Sequence, residues 1–107
     1  MTKSDKNLLV DYMGQGLANF DTYNEIIPVL DKIEKNEGRS RGEIIIGTTL
    51  NLMYYCHIEL KFGVDKSNYR KSFEAKNRLG AIQMACVEFV KWFNAENNLN
   101  KKWQTIG

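Results

Sequence analysis

Histidine occurs once and cysteine twice in 107 residues, and no catalytic or nucleotide-binding signature accompanies them. Two cysteines, Cys56 and Cys86, are too few for a disulfide scaffold and lack the spacing of a zinc site. They read as small buried hydrophobes. The lone His57 cannot build a multi-histidine metal centre, so neither a metal nor any other cofactor is expected. There is no GxxxxGK[ST] or GxGxxG phosphate loop, no HExxH and no CxxC. No apolar run approaches the ~18–20 residues of a membrane span. The longest runs from Leu52 to Cys56, and Leu8–Val10 is too short for a secretory core. The expectation is a soluble, cytoplasmic chain with no membrane contact.

What is present is ordinary in amount and uneven in placement. At 43% hydrophobic and 26% charged, the chain has the composition of one globular domain spanning 1–107, and disorder and low complexity are excluded. A net charge of +2 does not mark a dedicated nucleic-acid binder. Residues 1–37 carry four Lys and seven acids, a net −3; residues 38–107 carry eleven cations and six acids, a net +5. The two halves can therefore pack on each other, within or between subunits. Lys and Asn at eleven each beside four Arg suit an AT-rich genome, such as many phages and mobile elements carry.

Helical spacing appears first at Leu8, Leu9, Tyr12, Met13, Gly16, Leu17 and Phe20, with Ser4 or Asp5 as cap. A second stripe, Tyr23, Ile26, Ile27, Leu30 and Ile33, begins after Asp21 or Asn24 and ends before Gly38. The segment 43–62 is two-sided. Alternate positions from Leu50 to Phe62 are apolar, which is a strand pattern. Against that, Ser40 and Glu43 form a capping box, and Lys61-Phe62-Gly63 resembles a helix C-terminus. A lone strand also needs a pairing partner, so helix is favoured here. Asp65 then caps a last helix that Tyr69 and Phe73 extend towards Leu79, Ile82, Cys86, Phe89 and Phe93, with Met84, Ala85 and Val90 widening the stripe.

The expected fold is accordingly all-α: two shorter helices followed by a long antiparallel helical hairpin turning at Gly63–Val64. The alternative is α+β with a long strand at 49–62. In the hairpin, Cys56 and Cys86 stand roughly 21 Å apart along the helices, which excludes a bond between them. The tail 98–107 is polar apart from Leu99, Trp103 and Ile106, and mobile unless Trp103 docks.

Candidate chemistry depends on that choice. On a strand, Asn51, Tyr55, His57, Glu59 and Lys61 share a face as a general acid–base row; on a helix, His57 and Glu59 diverge by about 200°. Lys66, Tyr69, Arg70, Lys71 and Arg78 form a basic segment with aromatic interleaving, suited to a small anionic ligand such as a nucleotide, or to nucleic acid. Tyr54, Tyr55, Trp92 and Trp103 are candidates for a protein interface. Helices apolar on more than one side favour a non-enzymatic homo-oligomer that acts by binding another protein, as an inhibitor or adaptor. The residues carry no motif that resembles a known family's.

Overall fold

The three consecutive isoleucines at 44–46 supply what the apolar row after them needs, a β-branched partner strand immediately upstream. The computed structural model describes the backbone of residues 1–14, 19–35, 39–62 and 68–106, and their side chains except at 39–41 and 97–106. Its elements run α1 (Lys3–Met13), α2 (Tyr23–Glu34), β1 (Arg39–Thr48), β2 (Tyr54–Phe62), β3 (Tyr69–Ala75) and α3 (Arg78–Ile106). The strands form one antiparallel sheet in the order β1-β2-β3. The fold is therefore α+β, not an all-α bundle.

Register separates the two faces of this sheet. Ile44 stands opposite Ile58, Ile46 opposite Cys56, and Leu60 opposite Tyr69. Paired residues share a face, and on β2 that face holds the buried Cys56, Ile58 and Leu60. All three helices lie on it. α3 packs across β2 and β3, α1 and α2 flank α3, and α2 reaches β1. Ile82, Ala85, Cys86, Phe89 and Val90 of α3 complete the core with Leu9, Phe20, Ile26, Val29 and Ile33. Among the described residues no helix lies on the opposite face of the sheet.

The departures from expectation have identifiable causes. Leu50 and Leu52 continue the alternating row in sequence, yet they lie in the turn between β1 and β2, and of that row only 54–62 is strand. Ser40 and Glu43 lie within β1, so their spacing caps nothing. Tyr69 and Phe73 stand four apart, a spacing shared by one face of a strand and one face of a helix. Pairing with β2 gives them to β3, and α3 starts at Arg78. Its cap is Asn77, whose Oδ1 accepts from the Gly80 amide at 2.6 Å. The expected turn at Gly63–Val64 and the Asp65 cap lie outside the described residues.

Smaller corrections concern the helix ends. Thr2, not Ser4 or Asp5, caps α1, accepting from the Asp5 amide at 3.1 Å. Gly14, left-handed at φ 66°, ends the helix there, because a residue without Cβ adopts that conformation at little cost. Gly16 and Leu17 lie outside the described residues. α2 starts after Thr22, and Pro28 stands inside it. The Thr22 hydroxyl donates to Glu25 Oε1 at 3.0 Å, and Glu25 Oε2 accepts from the Asn19 amide at 3.1 Å and the Phe20 amide at 3.4 Å. Phe20, buried and left-handed at φ 57°, is held by Gln83 Nε2, which donates to its carbonyl at 2.7 Å. The backbone of α3 continues through the expected tail to Ile106.

Candidate functional site

Burial leaves most apolar side chains inside, which makes the β1–β2 turn conspicuous. Leu50 is fully exposed at 102% and Leu52 is 83% exposed, with Tyr54 partly exposed beside them. The turn is closed by its own hydrogen bonds. The Leu52 amide donates to the Thr49 carbonyl at 3.1 Å, and the Thr49 amide to the Met53 carbonyl at 2.7 Å. The Met53 amide donates to Thr49 Oγ1 at 3.3 Å. Leu52 sits at φ 60°, a left-handed position that short hairpin loops usually give to glycine. Holding leucine there costs about 1–2 kcal/mol. No Asp, Glu, Lys or Arg occurs from Ile44 to Ile58, so the tip is apolar and uncharged.

The uncovered face of the sheet is of a different kind. Tyr55, His57 and Glu59 of β2 share it with Arg70, Ser72 and Glu74 of β3. His57 Nδ1 lies 2.6 Å from Ser72 Oγ, and Nε2 lies 3.4 Å from Glu59 Oε2. A carboxylate can only accept, so the Glu59 contact calls for a hydrogen on Nε2; in that tautomer of the uncharged ring, Nδ1 is an acceptor for the Ser72 hydroxyl. Arg70 Nε stands 3.9 Å from the same Glu59 oxygen. Glu43 of β1 is directly opposite Glu59, and Arg70 offsets part of that repulsion. The Tyr55 ring lies over Gly47, where a Cβ would meet its Oη at 2.8 Å. Asn51, expected in this row, lies in the turn instead.

The basic segment does not assemble on one surface. Arg70 is on the uncovered face, whereas Tyr69 is buried on the helical side of the sheet. Lys71 shares Tyr69's face of the edge strand but is exposed, its Nζ 6.0 Å from the Tyr69 ring. Arg78 opens α3 and lines a shallow depression of about 180 Å³ with Ile46, Thr48 and Tyr54. Lys66 lies outside the described residues, as does the side chain of Trp103. Trp92 is packed within the chain, its ring 6.0 Å from Phe62, 5.0 Å from Tyr69 and 5.7 Å from Phe89.

Met84, expected in the core stripe, is instead 43% exposed. It lines a groove of about 320 Å³ between the start of α1 and the first turns of α3, with Met1, Val87, Asp5 and Glu88. Lys91 bridges the two carboxylates, 3.9 Å from Asp5 and 3.3 Å from Glu88. The cysteines are free and buried in one core, so the separation inferred from a helical hairpin does not hold. Burial pushes the Cys56 thiol up to about 11. The Cys86 thiol is raised by burial first and by Cys56 second. Both shifts disfavour the thiolate, the form that acts as a nucleophile. Among the described residues no group of three or more metal-ligating side chains occurs, and no helix is long and apolar enough to cross a membrane.

Comparison with protein-family models, curated proteins and solved structures finds no match. Two features escaped the sequence. Ser72 joins His57 only through strand register, which no local pattern carries. The tip had a signal, an uncharged stretch of fifteen residues centred near Asn51, but its leucines read as core.

Proposed function

We propose that this protein is a non-enzymatic binding module that docks on another protein chain through the tip of its β1–β2 hairpin. One observation carries the proposal: two leucines are held clear of the fold on a turn that one of them strains. A left-handed leucine left 83% exposed breaks a local rule that glycine or asparagine would satisfy. Such outliers persist where a function over-determines them. Burying both side chains in a partner is worth about 3–6 kcal/mol, and the hydrogen-bonded turn keeps the ordering cost low. The absence of charge at the tip favours an apolar protein pocket over a phosphate-bearing ligand.

A photo-reactive side chain placed at Leu50 in the producing cell tests this. The expected product is one discrete adduct of protein mass, a second copy of the chain included, with no equivalent adduct from Glu34 on α2. Adducts from Glu34 and none from Leu50 would contradict it.

A second reading rests on the 2.6 Å contact between His57 and Ser72. The imidazole accepts the serine proton and Glu59 orients the ring, the working parts of a serine hydrolase with the two ring nitrogens exchanged. Labelling of Ser72 by a fluorophosphonate, lost in His57→Ala, would support it. The docking reading expects no labelling.

A further inference from the structure

We infer that the partner docked at the hairpin tip also lays an extended acidic segment along the open edge of β1, as a fourth strand of the sheet. The inference rests on the docking reading and names the form that its partner takes. Strand order puts β1 at one edge of the sheet and β3 at the other. The two edges are protected differently. β3 has seven residues, and Arg70, Lys71 and Glu74 charge it along its length. Charged side chains keep an edge from pairing with another chain. In β1 the charges, Arg39, Arg41 and Glu43, lie at the end away from the tip, as does the register shift between Arg39 and Arg41. Residues 44–48, which lead into the tip, hold neither charge nor proline.

Register shows which backbone groups this edge leaves free. The Thr49 amide donates to the Met53 carbonyl at 2.7 Å, one step beyond the pair of Thr48 and Tyr54. Antiparallel pairs alternate between hydrogen-bonded and non-hydrogen-bonded. Glu43, Ile45 and Gly47 therefore bond to β2, while Ile44, Ile46 and Thr48 aim their N–H and C=O outward. Among the described residues nothing hydrogen-bonds to those outward groups. Donors and acceptors at alternate residues are the template that an extended backbone completes. The edge runs straight into the tip, since Leu50 follows Thr48 by two residues. An added strand thereby enlarges a contact that two leucines alone would leave small.

The side chains along the edge state the chemistry of the segment. Residues of an added strand alternate between the two faces of the sheet. On the helical side, Ile46 and Thr48 line the depression of about 180 Å³ with Tyr54 and Arg78, and no carboxylate is among its lining residues. Arg78 makes no ion pair among the described residues. The nearest other charges along the chain, Glu74 and Lys76, cancel. A positive group beside an open edge is complemented by an acidic side chain on the incoming strand. Paired strands share their faces. A second copy's β1 continuing this sheet would present only Gly42, Ile44, Ile46 and Thr48 on that side, none of them acidic. The segment therefore comes from a different protein.

Photo-cross-linking in the producing cell tests the inference. Ile45 and Ser72 both stand opposite His57, on one face but on opposite edges. A photo-reactive side chain at Ile45 should give an adduct of the same mass as the Leu50 adduct, and one at Ser72 should give none. Thr48→Pro removes an outward amide and keeps the pairing with β2. It should lower the Leu50 adduct about tenfold, the effect of one lost hydrogen bond and an unpaired group. Arg78→Glu should lower it by a similar factor and Arg78→Lys much less, with circular dichroism confirming that each variant is folded. A Leu50 adduct that Thr48→Pro leaves unchanged, with none from Ile45, would overturn the added strand but keep the docking role of the tip. Indifference to Arg78→Glu would overturn the acidic side chain. An Ile45 adduct of twice the chain's mass would overturn the different protein in favour of a second copy. No adduct from wild-type Leu50 would overturn the docking reading and this inference together.

Discussion

The uncovered sheet face and the hairpin tip are both exposed, and they treat exposure in opposite ways. On the face, polar groups answer one another: Ser72 meets His57, His57 meets Glu59, and Glu59 meets Arg70. The network braces β2 against β3 and asks little of solvent or partner. At the tip, Leu50 and Leu52 are left 102% and 83% exposed, and the backbone at Leu52 is strained. A region whose local rules are satisfied is explained by the fold alone. A region that breaks them without internal compensation asks for an external cause. The tip, rather than the polar row, is therefore the better guide to function.

The helical face of the sheet, not the polar face, carries the core. Phe89 is fully buried and touches Tyr12, Tyr69, Trp92 and Phe93. Phe89→Ala should cost about 3–5 kcal/mol in urea unfolding. His57→Ala, on the other face, should cost only about 1 kcal/mol. Equal losses would mean that the polar row is structural to the same degree as the core.

Acid separates local capping from both surfaces. The Thr22 hydroxyl, and then the Asn19 and Phe20 amides, hold the Glu25 carboxyl below its ordinary 4.5. A depressed value in the fold contributes stability that is present above 4.5 and lost as pH falls through the lowered value. Wild type should therefore exceed Glu25→Gln in stability at neutral pH, and the gap should close in acid. A gap that widened below pH 4.5 would contradict the assignment.

The smallest effect concerns a polar group inside the core. The buried Tyr69 hydroxyl has no hydrogen-bond partner among the described residues. Tyr69→Phe removes an unsatisfied group without opening a cavity, so stability should stay within about 0.5 kcal/mol of wild type or rise. A loss larger than that would reveal a partner for the hydroxyl.

How much of this was legible depends on the range of the signal. The α3 stripe through Ile82, Cys86 and Phe89 is a local period, and it placed that helix's buried side correctly. The hairpin was obscured because its turn lacks Asn-Gly or Asp-Gly; Asn51 sits between two leucines that extend the apolar alternation through the turn. The partner strand was hidden by Ser40 and Glu43, which imitate a helix cap. The His57–Glu59 row was visible once a strand was granted, but Ser72 entered it only through pairing across fifteen residues. The tip was the least legible feature. Exposure is a property of the assembled fold, and nothing in a leucine says that it will find no neighbour.

The most direct measurement is Leu52→Gly, followed in parallel by thermal unfolding and by cross-linking from Leu50. Glycine accepts φ 60° without strain, so the variant should gain about 1 kcal/mol in stability. With its apolar side chain gone, the tip should form markedly less adduct. Higher stability with weaker docking is the result predicted for a strained leucine kept for a partner. Unchanged docking, or a loss of stability, would contradict the account.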